Sequence, residues 1–129
     1  MTDIRLTLVT LVVPEYDAAI AYYTGTLGFV LLEDTPLSAT KRWVRVAPSP
    51  DSAAFLLAQA AVPAQQAAIG NQTGGRVAFF LTTDDFAQTY ARYQAAGVLF
   101  REQPRHEAYG WVVQFTDCYG NHWDLIGPG

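Results

Sequence analysis

The chain repeats itself at a spacing of 68 residues, and this repeat limits the folds that it can adopt. The segment "VTLVVPEYDAAIAYY", which starts at Val9, resembles "VAFFLTTDDFAQTYA", which starts at Val77. The same offset aligns Trp43 with Trp111. A spacing of about half of the 129-residue chain predicts two copies of one supersecondary unit.

Each half reads as a strand, a helix and three further strands. Asp17 and Asp85 are predicted to cap the two helices, and Gly28 and Gly97 to end them. The predicted strands are Val9–Val13, Phe29–Glu33, Arg42–Ala47 and Ala53–Ala58 in the first half, and Arg76–Leu81, Val98–Glu102, Trp111–Thr116 and His122–Ile126 in the second. We therefore predict an α+β fold of two tandem βαβββ modules, about 4–60 and 74–127, joined by a linker at 61–73 within one domain.

The composition excludes several classes of partner. Half of the residues are hydrophobic, and the net charge of −4 argues against a nucleic-acid-binding surface. The single cysteine, Cys118, excludes an internal disulfide and suits a reducing compartment. The apolar run that ends at Pro14 is too short to span a membrane and follows no basic leader. We expect a cytoplasmic protein with neither nucleic acid nor membrane as a partner.

Two segments carry a resemblance to a known family. Together with the tandem βαβββ units, "AYYTGTLGF" and the closing "DCYGNHWDLI" resemble the vicinal oxygen chelate superfamily, which includes glyoxalases, bleomycin resistance proteins and extradiol dioxygenases. The resemblance implies that the two modules form a cup-shaped, mixed eight-stranded sheet. In the family's enzymes the cup holds a metal and the substrate. Members commonly pair across a two-fold axis, so the resemblance also implies a homodimer.

The resemblance places the family's metal ligands on the first and fourth strands of each module. In this chain those positions are Leu8, Leu56, Arg76 and Asp124. Leucine has no lone pair to offer, and arginine is a permanent cation without an acceptor. Only Asp124 could bind a metal there, so we expect no metal cofactor. A relocated site made of His106, His122 and Asp124 is the alternative, because two histidines and one carboxylate suit non-haem iron.

Arg76 and Asp124 have opposite charges, and both would face the cup. One interpretation is a structural ion pair; the other is that Arg76 receives an anionic or carbonyl oxygen of a ligand. Both remain open at this point. The predicted ligand-binding residues are Arg76, Asp124, Leu8, Leu56, Phe80, Glu107 and Tyr109.

These positions favour a metal-free protein that binds a small organic molecule in its cup, and an anionic molecule is one candidate. One alternative is a glyoxalase-like lyase or dioxygenase with relocated metal ligands. A second is a resistance protein that sequesters a cationic drug. Whether any reaction is catalysed is left open, because a fold by itself does not confer a reaction.

Overall fold

The computed structural model describes residues 2–128, which divide into two compact units between Gln66 and Ala67. None of the helices in the described range has the length and apolar character needed to cross a bilayer. A cytoplasmic location stays a prediction, as does the organisation of the two units into one domain.

The first unit is a mixed sheet with one helical segment. Its elements are β1 (Leu8–Val13), α1 (Tyr16–Ile20) with a π-helical continuation (Ala21–Thr26), β2 (Val30–Pro36), β3 (Arg42–Ala47) and β4 (Ala54–Gln59). The strand order is β1-β4-β3-β2. Strands β1 and β4 are parallel, whereas β3 pairs antiparallel with both β4 and β2.

The two faces of this sheet follow from alternation along the strands. Leu11 and Val13 of β1 are fully buried, as are Val44 and Val46 of β3. Tyr23 and Leu27 of the helical segment and the following Phe29 are buried too, and they complete the core of this unit. Side chains point to opposite faces at successive positions, so Thr10 and Val12 face the other side of the sheet.

The cap of α1 differs from the prediction. Glu15, not Asp17, is the capping residue: its carboxylate accepts hydrogen bonds from the backbone N–H groups of Asp17 at 3.0 Å and Ala18 at 2.7 Å. Asp17 lies in the first turn and forms an ion pair with Arg42. The Asp17 cap is therefore wrong, because the side chain two residues earlier already satisfies the free amides of the first turn.

The second unit is a five-stranded sheet with one longer helix. A short helix, α2 (Pro63–Ala68), precedes this sheet along the chain. The other elements are β5 (Val77–Thr82), α3 (Phe86–Ala95), β6 (Leu99–Phe100), β7 (Arg105–Glu107), β8 (Gly110–Thr116) and β9 (His122–Gly127). The strand order is β5-β9-β8-β6, and β7 also pairs with β8. The predicted cap of α3 is confirmed, since Asp85 accepts a hydrogen bond from the backbone N–H of Gln88 at 3.1 Å.

The α+β class is confirmed, but the strand count is not. The described residues form nine strands in sheets of four and five, where eight strands in one sheet were predicted. The additional strand is β7, which pairs with β8 across a tight turn that the sequence presented only as a loop. The predicted linker 61–73 contains a short helix, α2 (Pro63–Ala68).

An offset of 68 residues relates β4 to β9, the last strands of the two units, but it does not relate β3 to β8, the strands before them. Leu57 and Leu125 are equivalent buried positions, opposite Val44 and Val113 respectively. The third strand of the first unit is therefore related to β8 by 69 residues, and the alignment of Trp43 with Trp111 is wrong. A shift of one residue reverses the faces of a strand. Trp111 accordingly packs against Phe86 of α3, with ring centroids 6.2 Å apart.

Candidate functional site

The metal-ligand positions of the first unit carry no metal-binding group. Leu8 lies at the start of β1 opposite Ala54, and Leu56 lies opposite Thr10. Both side chains are half-buried hydrocarbon. A divalent ion needs several N, O or S donors, so this pair does not fit a metal.

In the second unit Arg76 does not occupy the position equivalent to Leu8, as the sequence suggested it would. The repeat relates Ala54 to His122, and His122 lies opposite Val77. Val77 rather than Arg76 is therefore the counterpart of Leu8, and Arg76 is exposed ahead of β5. The expected alignment of Arg76 is wrong because the pairing relates β1 to β5 by 69 residues at Val77 and by 70 residues from Phe79 onward, not by 68.

Asp124 is also not paired with Arg76. No ion pair within residues 2–128 joins the two side chains. Asp124 Oδ1 is buried and has no hydrogen-bond partner. Burial raises the pKa of Asp124, while a hydrogen bond from Gln114 and the charge of Arg105 act in the opposite direction. The structural ion pair, one of the two interpretations of Arg76 and Asp124, is therefore not formed.

The remaining predicted ligand residues of the second unit lie in different settings. Phe80 is opposite Asp124 on β5 and is 63% exposed. Tyr109 is in the β7–β8 turn and is 64% exposed. Glu107 pairs with Arg105 at 2.6 Å, which makes it part of an ion-pair cluster with Glu102. A ligand role for these residues stays a prediction.

The relocated metal set is not assembled. His106 on β7 lies opposite Trp111, whereas His122 on β9 lies opposite Thr116. Trp111 and Thr116 are five residues apart on β8, which is about 16 Å along a strand. Within residues 2–128 no three His, Cys, Asp or Glu side chains lie close enough together to hold a metal ion. The residues present do not fit the family's metal.

The first unit contains a cavity of about 530 Å³, which we call the Trp43 cavity. Its walls include the face of the sheet opposite the core, where Thr10 and Val12 of β1 meet Leu56 and Ala58 of β4. Its lining residues are Thr10, Val12, Tyr16, Thr40, Lys41, Arg42, Trp43, Leu56, Leu57, Ala58, Gln59, Ala60, Ala61 and Gln65. Most of this wall is apolar. Leu56 is thus the one predicted ligand residue that lines this cavity.

Arg42 shapes one wall of the Trp43 cavity. Its Nη2 and Nε bond the two carboxylate oxygens of Asp34 at 2.6 and 3.0 Å, and its Nη1 bonds Asp17 at 2.8 Å. The guanidinium carbon lies 5.1 Å from the centre of the Tyr16 ring. The hydrogen bonds to Asp34 and Asp17 raise the pKa of Arg42, and the contact with Arg42 lowers that of Asp34. This fork-shaped pairing orients the side chain and offsets its charge.

Sequence reasoning missed most of this cavity. Strand alternation indicated which side chains share the face opposite the core, and that signal was available from the sequence. The loop that carries Thr40 and Lys41, and the segment from Gln59 to Gln65, close the cavity from elsewhere in the unit. Nothing local in the sequence predicts where such segments return to the sheet.

Three comparisons place the chain among known proteins. The model of the Glyoxalase/Bleomycin resistance protein/Dioxygenase superfamily matches residues 5–125. An uncharacterized protein of Shewanella frigidimarina (strain NCIMB 400) is 48% identical over 120 residues, which are 92% of this chain and 89% of that protein.

Two crystal structures are similar over almost the whole chain. UcmS2 is 28% identical, with a TM-score of 0.82 and coverage of 97% of this chain and 98% of its own. TnmS3, an antibiotic binding protein from Streptomyces sp. CB03234, is 29% identical, with a TM-score of 0.74 and coverage of 100% and 99%. The chain therefore belongs to the glyoxalase/bleomycin resistance protein/dioxygenase superfamily, as its repeat and its closing motif predicted.

Proposed function

We propose that this protein binds a small organic molecule in the Trp43 cavity and that no metal takes part in the binding. The observation that carries the proposal is the cavity itself. Its volume of about 530 Å³ lies within the range of drug-sized ligand sites. Its mainly apolar wall, with an indole and a few polar groups, has the usual composition of such sites.

The family's metal-dependent chemistry is less compatible with this chain. Leu8 and Leu56 supply no donor, and Asp124 stands alone among the four expected ligand positions. A lyase or dioxygenase with relocated ligands would need a donor set that residues 2–128 do not bring together. Binding without metal chemistry is therefore the better-supported function.

The similarity to TnmS3, an antibiotic binding protein, supports drug sequestration as the biological form of this binding. The sequence suggested an acidic cup that captures a cationic drug. The lining of the Trp43 cavity differs from such a cup, because it includes Lys41 and no acidic residue, while the charge of Arg42 is offset by Asp34 and Asp17. We propose that the sequestered molecule is an aromatic compound of antibiotic size that is not a cation.

Filling the cavity should abolish binding. Ala58 is half-buried on β4 and lines the cavity, so a phenyl ring at this position would occupy the ligand's volume. We expect Ala58→Phe to weaken the binding of phenylnaphthylamine, a neutral fluorescent probe, by about tenfold or more. Fluorescence titration measures the affinity, and competition by aromatic antibiotics then identifies ligands.

The matched control is Ala18→Phe, which adds the same ring at an exposed position of α1. It should leave the affinity unchanged. Circular dichroism establishes that both variants are folded. Equal affinities of wild type and a folded Ala58→Phe variant would show that the ligand site is not the Trp43 cavity.

We also propose that the chain forms a homodimer. Ile4 and Leu6 are 88% and 74% exposed, and they alternate with polar residues ahead of β1, an edge strand of its sheet. Exposed apolar side chains beside an open edge favour association with a second copy. Light scattering should give twice the chain mass, and a monomer for a variant with both residues changed to serine. A wild-type monomer at micromolar concentration would refute this.

A further inference from the structure

The charged groups of the Trp43 cavity are all of one sign. The chain has 12 acidic and 8 basic residues, yet the cavity is lined by Lys41 and Arg42 and by no aspartate or glutamate. Lys41 is exposed, so solvent partly screens its charge, but a lining that includes this cation and no carboxylate still favours an acidic group of a ligand over a basic one.

Arg42 is not the cation available to a ligand. Its guanidinium already bonds both oxygens of Asp34 and one of Asp17, at 2.6–3.0 Å. Two carboxylates therefore offset its single positive charge. Arg42 supports the wall of the cavity and holds the start of β3 against Tyr16.

Lys41 is the available cation. A turn positions its backbone: the Lys41 carbonyl accepts hydrogen bonds from the N–H groups of Leu37 and Ser38 at 2.8 and 3.1 Å, and its own N–H donates to Ser38 Oγ at 3.1 Å. Within residues 2–128 the side-chain ammonium forms no ion pair. Lys41 is also the only lysine of the chain.

We propose that the ligand of the Trp43 cavity is an aromatic molecule with an acidic group, and that Lys41 is the counter-ion of that group. This inference rests on the proposed function and adds the ligand's charge to it. The apolar body lies against Trp43, Leu56 and Ala58, while the carboxylate, sulfonate or phenolate lies at the Lys41 side of the cavity. Lys41 thus takes the role of anion receptor that the sequence suggested for Arg76.

Two probes that differ by one sulfonate group test the proposal. Anilinonaphthalenesulfonate carries a sulfonate on the same ring system that phenylnaphthylamine presents without it. We expect Lys41→Gln to weaken binding of the sulfonate about fivefold and to leave the affinity for the neutral amine unchanged. Lys41→Arg should retain sulfonate binding. Arg76→Gln, which removes the same charge from an exposed residue that does not line the cavity, should change neither affinity.

A second readout uses the single lysine directly. Reductive methylation with carbon-13 formaldehyde labels one ε-amino group in the chain, because no other lysine is present. Its NMR signal should shift when anilinonaphthalenesulfonate is added to wild type, and not when it is added to the Ala58→Phe variant.

The outcomes separate the two proposals. If neither probe binds wild type, or if Ala58→Phe leaves both affinities intact, the proposed function and the charge inference fail together. If both probes bind in the cavity but Lys41→Gln weakens them equally or not at all, only the charge inference fails. Loss of sulfonate affinity in Arg76→Gln instead of Lys41→Gln would return the role of anion receptor to Arg76.

Discussion

Replacing Asp117 by alanine should lower the free energy of unfolding by about 4 kcal/mol. Asp117 is 2% exposed and accepts four hydrogen bonds in the turn between β8 and β9. Its Oδ1 accepts hydrogen bonds from the backbone N–H groups of Tyr119 and Asn121, each at 3.0 Å. Its Oδ2 accepts hydrogen bonds from the side-chain amide of Asn121 and from the indole N–H of Trp123, each at 2.9 Å.

The cost is large because alanine leaves buried donors without an acceptor. The indole of Trp123 is fully buried, so its N–H cannot form a hydrogen bond with water instead. Urea unfolding measures the loss, and Asp51→Ala, which removes an exposed carboxylate, is the control and should change stability little. A loss below about 1 kcal/mol for Asp117→Ala would show that the hydrogen bonds contribute little.

This turn explains the motif that carried the family resemblance. In "DCYGNHWDLI", Asp117 and Asn121 build the turn, and Gly120 has a φ of 100°, which favours glycine. The motif therefore fixes where the chain enters β9, and this in turn fixes the position of Asp124. Its conformational role accounts for these residues without any contact with a ligand.

Replacing Gly70 by alanine should cost about 3 kcal/mol or more of unfolding free energy. A Cβ atom at Gly70 would lie 1.9 Å from the carbonyl oxygen of Tyr119 and 2.9 Å from its carbonyl carbon. Both are backbone atoms of the turn that Asp117 holds, so they cannot move aside as a flexible side chain would. The φ of 70° adds strain for any residue with a Cβ.

Gly74→Ala separates the clash from the backbone strain. Gly74 has nearly the same φ, 71°, but a Cβ there meets nothing within 4 Å. This variant should lose only about 1 kcal/mol, the usual cost of a left-handed conformation. Equal losses for Gly70→Ala and Gly74→Ala, measured by urea unfolding, would mean that the Tyr119 contact is unimportant.

The sequence by itself determined the features that depend on local pattern. Strand β3 has the predicted bounds, Arg42–Ala47, and Asp85 caps α3, because alternation and capping act between near neighbours along the chain. The repeat predicted two related units and the superfamily. The side chains of Leu8 and Leu56 also settled, without coordinates, that those positions cannot bind a metal.

Only the tertiary structure decided the contacts between distant residues. The repeat offset of 69 at β8 put Trp43 and Trp111 in different settings, and the pairing of β5 with β9 placed Phe80, not Arg76, opposite Asp124. Lys41 reached the Trp43 cavity through a turn far along the chain from β1 and β4. A strand's side chains alternate with a period of two, so one residue of register exchanges its faces, and register is set by packing across the whole sheet.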